Sequence, residues 1–219
     1  VKQGRRIFDN IRKFIKYTMT SNSGEIWVLL LAPLLGMPIP LLPIHILWIN
    51  LVTDGLPGLA LSFEPAEKGL MSRPPRSPNE SIFAHGMWQH IIYLGLCIGG
   101  ISLFAQYWAL ENSPLHWQTM VFTTLTLAQL VNVLMIRAER ESIFRLNFFS
   151  NKPLIIAVVV TILLQLCVIY LPFANELFKT SPLPPTELFI CVALAGLILV
   201  VVEIEKMLVR KGFIYNDAN

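Results

Sequence analysis

The chain has 219 residues, of which 54% are hydrophobic and 14% charged, with a mean hydropathy of +0.60. Soluble domains carry about 25% charged residues, so this composition excludes an ordinary soluble core and points to a protein that crosses a membrane several times. The net charge of +3 comes without an aromatic-basic module of the kind that reads nucleic acid, and no nucleic-acid partner is expected.

The chain opens Val-Lys-Gln-Gly-Arg-Arg, with neither a methionine nor an early apolar core. This reads as an internal start rather than a signal peptide, so a piece of a longer protein is expected. Six segments reach the roughly 20 residues that a helix needs to cross a bilayer. Helix is the expected state of each, because a lone strand would leave backbone groups unpaired in lipid. The first runs from about Phe8 to Leu35 and begins with a basic amphipathic stretch, Ile7 to Tyr17, expected to project from the membrane. Gly36-Met-Pro-Ile-Pro40 turns the chain into the second, about Pro43 to Phe63. The third covers about Ser81 to Leu110, and Glu111-Asn-Ser-Pro114 separates it from the fourth, about His116 to Ile136. The fifth spans about Pro153 to Leu171, and Ser181-Pro-Leu-Pro-Pro185 leads to the sixth, about Thr186 to Val209. The fold class is therefore all-α: one membrane domain over residues 1–219, six helices in three hairpins, with the lipid bilayer as partner.

Charge orients this bundle. With the N-terminus in the cytoplasm, sixteen of the seventeen Lys and Arg residues fall on that side, and Lys179 alone falls outside. By the positive-inside rule both termini are expected to be cytoplasmic. The three cysteines (Cys97, Cys167, Cys191) lie in apolar runs without a CxxC pair, so neither a disulfide framework nor a zinc site is indicated. The four histidines (His45, His85, His90, His116) form no HxxH or HExxH pattern and are assigned to packing or interfaces.

The informative residues are the polar ones in apolar runs. Asp54 lies in Leu47-Trp-Ile-Asn-Leu-Val-Thr-Asp-Gly-Leu-Pro57, and a carboxylate inside a membrane costs a few kcal/mol or more unless it finds a partner. Asn50, Thr53 and Asp54 stand at i, i+3 and i+4, so a helix aims their oxygens at one spot. Gly55 and Pro57 are expected to loosen the helix and release backbone carbonyls as further ligands. Asn22 and Glu25 in the first span are three residues apart and share a face. Both clusters lie ten to fourteen residues from the intervening turn, hence at similar membrane depth. Hard oxygen donors with two carboxylates suit Ca²⁺ better than a soft transition metal or Mg²⁺.

In the fourth span, Gln129 and Asn132 repeat the i, i+3 spacing. Gln129 could give a neutral oxygen to the same ion or bond to a neighbouring helix. Thr123, Thr124 and Thr126 are expected to bond back to their own helix. Gln106, Gln165 and Glu187 stand isolated and receive no role. Glu203 and Glu205 are expected to be solvated or paired with Lys206.

Ser21-Asn-Ser-Gly-Glu25, the Trp48–Pro57 stretch and Met71-Ser-Arg-Pro-Pro-Arg-Ser-Pro78 together resemble the C-terminal membrane half of P-type ATPases, most closely the sarcoplasmic-reticulum-type calcium pumps and their bacterial relatives. The resemblance implies that the six spans are the fifth to tenth of ten. It implies a cation site made of Asn22, Glu25, Asn50, Thr53 and Asp54, with Ca²⁺ as the transported ion. It makes the basic start of the first span a stalk toward a phosphorylated domain, with the Glu64 to Glu80 loop against that domain. ATP and Mg²⁺ would act in cytoplasmic domains outside this chain, and the N-terminal part of the pump would be its partner. Two-ion calcium pumps carry a Glu where this chain has Gln129, which implies one ion per cycle. No Asp-Lys-Thr-Gly motif or Gly-rich nucleotide loop is present, so the chain alone is not expected to hydrolyse ATP. A Na⁺, K⁺ or H⁺ pump, or a stand-alone membrane module, are the alternatives.

Overall fold

The computed structural model describes residues 1–66, 70–72, 81–84, 86–138 and 148–214, with side chains placed for all of these but Phe148. Among them there are helices and connections and no strand. The helices are α1 (Lys2–Leu34), α2 (Pro43–Trp48), α3 (Gly55–Ala60), α4 (Met87–Asn112), α5 (Trp117–Ile136), α6 (Lys152–Tyr170), α7 (Pro172–Phe178) and α8 (Pro185–Arg210). A π-helical segment, Ile49–Thr53, joins α2 to α3, and a 3-10 turn, Leu61–Phe63, follows α3. Lys68, Arg73, Arg76, His85, Arg140 and Arg145 lie outside the described residues, as does most of the Met71–Pro78 motif.

Five helical stretches are long and apolar enough to cross a membrane: Pro43–Phe63, Met87–Asn112, Trp117–Ile136, Lys152–Tyr170 and Pro185–Arg210. α1 is not among them. It has 33 residues and so runs for about 50 Å, but Lys2, Arg5, Arg6, Arg12, Lys13 and Lys16 crowd its first half. Its uninterrupted apolar part begins at Ile26. Two boundaries also differ from expectation. The third segment becomes helical at Met87 rather than Ser81, because Gly86 takes a left-handed conformation (φ 75) that a continuing helix cannot hold. A short helix, α7, follows the fifth segment, since Pro172 supplies a preset helical φ at its first position.

α5 is the centre of the bundle, touching α1, α3, α4, α6, α8 and the π segment. That position explains how a membrane helix carries Thr119, Thr123, Thr124, Thr126, Gln129 and Asn132: all are buried in protein, not presented to lipid. α1 packs along α4 at close range. A Cβ at Gly95 would collide with Ser23 Oγ, and one at Gly99 would lie 2.8 Å from Trp27 Cβ. The Gly95-xxx-Gly99 spacing thus lets two backbones approach as small residues do in membrane interfaces. At the far end of α1, Gly36 (φ 75) closes the helix, with Met37 N–H donating to Ala32 O at 2.9 Å and Gly36 N–H to Pro33 O at 3.0 Å.

A polar knot holds the amino-terminal half of α1 to the other elements. Arg6 and Asn10 donate to Glu64 O, at 3.0 and 2.9 Å. Lys13 Nζ donates to Arg137 O at 2.8 Å. Arg137 Nε donates to Glu64 Oε2 at 3.1 Å, and Asn151 Nδ2 reaches the same carboxylate at 2.7 Å. Arg137 and Glu64 are both buried. A buried charge is tolerated when paired and hydrogen-bonded in this way.

Candidate cation site

The site grows from the break in the second segment. Pro57 has no N–H, so Thr53 O, its partner in a regular helix, loses that donor. Tyr17 OH on α1 donates to Thr53 O instead, at 2.9 Å. Upstream the backbone widens: Asp54 N–H reaches back five residues to Ile49 O at 2.8 Å, the π pattern often found at functional sites. The break therefore falls at Ile49–Thr53, a few residues before Gly55 and Pro57.

Glu25 is buried on α1. Asn50 Nδ2 donates to its Oε2 at 3.1 Å, and Gln129 Nε2 donates to its Oε1 at 3.3 Å. The same Gln129 nitrogen lies 3.5 Å from Ser21 O, while Asn50 Nδ2 also reaches Ile46 O at 3.0 Å. Asp54 is 3% exposed, yet neither of its carboxylate oxygens has a hydrogen-bond partner. Tyr17, Ser21 and Glu25 lie beside it. Thr53 Oγ1, Ser21 Oγ and Gln129 Oε1 are buried without partners as well. Native interiors rarely leave buried polar atoms unsatisfied, and here α1, the π segment and α5 each carry an unsatisfied side-chain oxygen.

The structure thus brings Glu25, Asn50 and Gln129 into contact and sets Thr53 and Asp54 beside them. Asn22, half-buried one turn before Glu25, joins none of these hydrogen bonds. Asn50 is exposed on one side, although it sits in an apolar helix. No three His, Cys, Asp or Glu side chains converge among the described residues, so any cation here would rely on the two acids and neutral oxygens. Asn132, an i+3 neighbour of Gln129, is fully buried with both side-chain polar atoms unpaired.

Other expectations need correction. The hydroxyls of Thr123, Thr124 and Thr126 do not bond back to their own helix; all three lack partners. Glu205 is buried rather than solvated, and it accepts from His90 Nδ1 at 2.8 Å. Lys206 pairs with Glu203 at 4.0 Å, as expected, and also donates to Met135 O at 2.8 Å, satisfying a carbonyl of the last turn of α5. Glu187 is not isolated, since Ser113 Oγ and His116 Nδ1 meet its carboxylate at 2.6 and 2.8 Å. Gln106 Nε2 donates to Pro38 O at 2.7 Å, and Gln165 Oε1 accepts from Trp48 Nε1 at 3.0 Å. Sequence reasoning missed Tyr17 and Ser21 at the site. The available signal was their spacing: residues 17, 21 and 25 stand at i, i+4 and i+8 on one face of α1.

Fold and site together define a multi-pass membrane domain built around a buried, oxygen-rich cluster. Residues 38–208 match the family described as cation transporting ATPase, C-terminus, and the chain belongs to that family. It is 42% identical over 90% of its length to a calcium-transporting ATPase of Bacillus subtilis, covering 22% of that protein. It is 36% identical over 94% of its length to calcium-transporting ATPase 1 of Bacillus cereus, covering 25% of it. To calcium-transporting ATPase 1 of Saccharomyces cerevisiae it is 30% identical over 96% of its length, covering 22%. The chain therefore spans about a quarter of the length of these relatives. The resemblance seen in the Ser21–Glu25 and Trp48–Pro57 motifs is borne out at the level of the family.

Proposed function

We propose that this chain is the cation-binding membrane region of an ATP-driven calcium pump, one domain over residues 1–219. The observation that carries the proposal is Asp54: a buried carboxylate with both oxygens unpaired, at the break of a membrane helix and beside a second buried acid. Such a group demands a cation or a proton. Asp54 is the central ligand and Glu25 the second charge, so that the pair balances a divalent ion. Asn22, Asn50, Thr53 and Gln129 complete the shell with neutral oxygens, the amides of Asn50 and Gln129 turning from Glu25 to face the ion. Gln129 in place of a third acid supports one ion per cycle. α1 serves as the sixth crossing, which completes three hairpins with both termini cytoplasmic. The remaining, N-terminal part of the pump supplies ATP and Mg²⁺ chemistry and covers the exposed side of Asn50.

The relatives' names favour Ca²⁺, and the hard-oxygen donor set agrees. In the full-length protein, Ca²⁺-dependent phosphorylation from ATP tests the reading. Asp54→Asn is expected to abolish it, and Gln129→Ala to weaken it less. Normal phosphorylation of the Asp54→Asn protein would place the site elsewhere. Phosphorylation driven by Na⁺, K⁺ or H⁺ in place of Ca²⁺ would keep the site and change its ion. Two calcium ions bound per phosphoenzyme would refute the single-ion stoichiometry.

A further inference from the structure

We infer that Gln165, which touches none of the candidate ligands, is a positioning residue for the cation site and acts through Trp48. The inference rests on the cation-site reading above. Gln165 lies in the second half of α6, where the neighbouring polar side chain, Thr161, bonds back to Ala157 O of its own helix at 2.8 Å. An amide at that depth is costly unless it bonds. Gln165 is 1% exposed and makes one hydrogen bond: its Oε1 accepts from Trp48 Nε1 at 3.0 Å. Indole nitrogen only donates, so the amide is oriented with oxygen toward Trp48, and Nε2 is left without a partner. The bundle therefore does not satisfy this amide; its single bond is spent on the residue immediately before the π segment.

Trp48 is held by more than this bond. Its ring meets Phe178 edge-on, with centroids 5.0 Å apart. One turn earlier His45 stacks on Phe122 at 4.5 Å, and its Nε2 bonds to Phe178 O at 2.7 Å. The upstream end of the broken helix is thus clamped to α5, α6 and α7. Beyond Trp48 the regular i→i−4 ladder gives way, and the placement of Asn50 and Asp54 depends on how the two ends of Ile49–Thr53 are held. Tyr17 holds the downstream end at Thr53 O. Gln165, through the indole, holds the upstream end, two residues from Asn50. A bond that served only to dock α6 would change stability and leave cation affinity alone.

The test uses the full-length protein and titrates ATP-driven phosphorylation with the ion that supports it, beginning with Ca²⁺. Gln165→Leu keeps the volume and removes the acceptor. Its half-saturating ion concentration is expected to rise about three- to tenfold, the effect of one lost hydrogen bond, with the maximal phosphoenzyme level unchanged. Trp48→Phe, which keeps an aromatic ring on Phe178 and removes the donor, is expected to give a similar rise. The double variant should rise no further than the larger single one, because both changes remove the same bond. An unshifted titration for Gln165→Leu overturns the inference, and so do shifts that multiply in the double variant. Should Gln165→Leu fail to accumulate folded, Trp48→Phe decides alone by the same criterion. The cation-site reading fails separately: normal phosphorylation of Asp54→Asn sinks that reading, whatever Gln165 does.

Discussion

Pro57 withholds an N–H from Thr53 O, and a side chain from another helix replaces it. The Tyr17 hydroxyl has to be there because a carbonyl in a membrane interior has no water to fall back on. Tyr17→Phe removes this donor and leaves the carbonyl unsatisfied, at a cost of about 1–3 kcal/mol. Thermal unfolding of the full-length protein in detergent should register that loss, and an unchanged midpoint would show that Thr53 O finds another donor. The acids at the site were legible in the sequence, since a charged residue in an apolar run is anomalous at sight. Tyr17 and Ser21 had only their spacing from Glu25 to mark them, because tyrosine and serine are unremarkable in a membrane helix until a partner is known.

At the scale of elements, one departure from regular helix places chemistry, and one close helix contact sets the packing. Ile49–Thr53 opens into π geometry, which leaves Asp54 between two short helices with its carboxylate unbonded. The α1–α4 contact depends on missing side chains. Gly95→Leu would drive a side chain into Ser23 and Gly24, and overpacking of this kind costs about 1–3 kcal/mol, occasionally more. Gly100 has nothing within 4 Å of its would-be Cβ, so Gly100→Ala should be silent. Yield and thermal stability of the two variants, compared in one membrane preparation, check the contrast; equal behaviour would mean that α1 and α4 can move apart freely. Glycine positions could be read from the sequence, but which of them faced another backbone could not.

Across the whole molecule, α5 joins the first and last helices to the site. Gln129 bonds to Glu25, while Lys206 and Lys13 donate to Met135 O and Arg137 O just beyond. Cations at a helix C-terminus also complement its dipole. The proposed topology makes a direct prediction for labelling. Leu115 in the α4–α5 connection and Phe213 beyond α8 are 84% and 74% exposed. In a full-length protein otherwise free of cysteine, an impermeant maleimide should reach Phe213→Cys from the cytoplasmic side and Leu115→Cys from the opposite side. Labelling of both from one side would break the proposed hairpin arrangement.

Composition and apolar run length by themselves determined that this is a multi-pass helical membrane protein, because lipid admits few backbone solutions and the required length is set by bilayer thickness. They also marked Glu25 and Asp54, because burying a charge is expensive enough to be visible in one dimension. The tertiary structure alone decided the partners: Glu64 with Arg137, Glu205 with His90, Glu187 with Ser113 and His116, Trp48 with Gln165. These contacts join residues more than sixty positions apart, and a hydrogen bond depends on an atom's position in space, which no local spacing along the chain encodes.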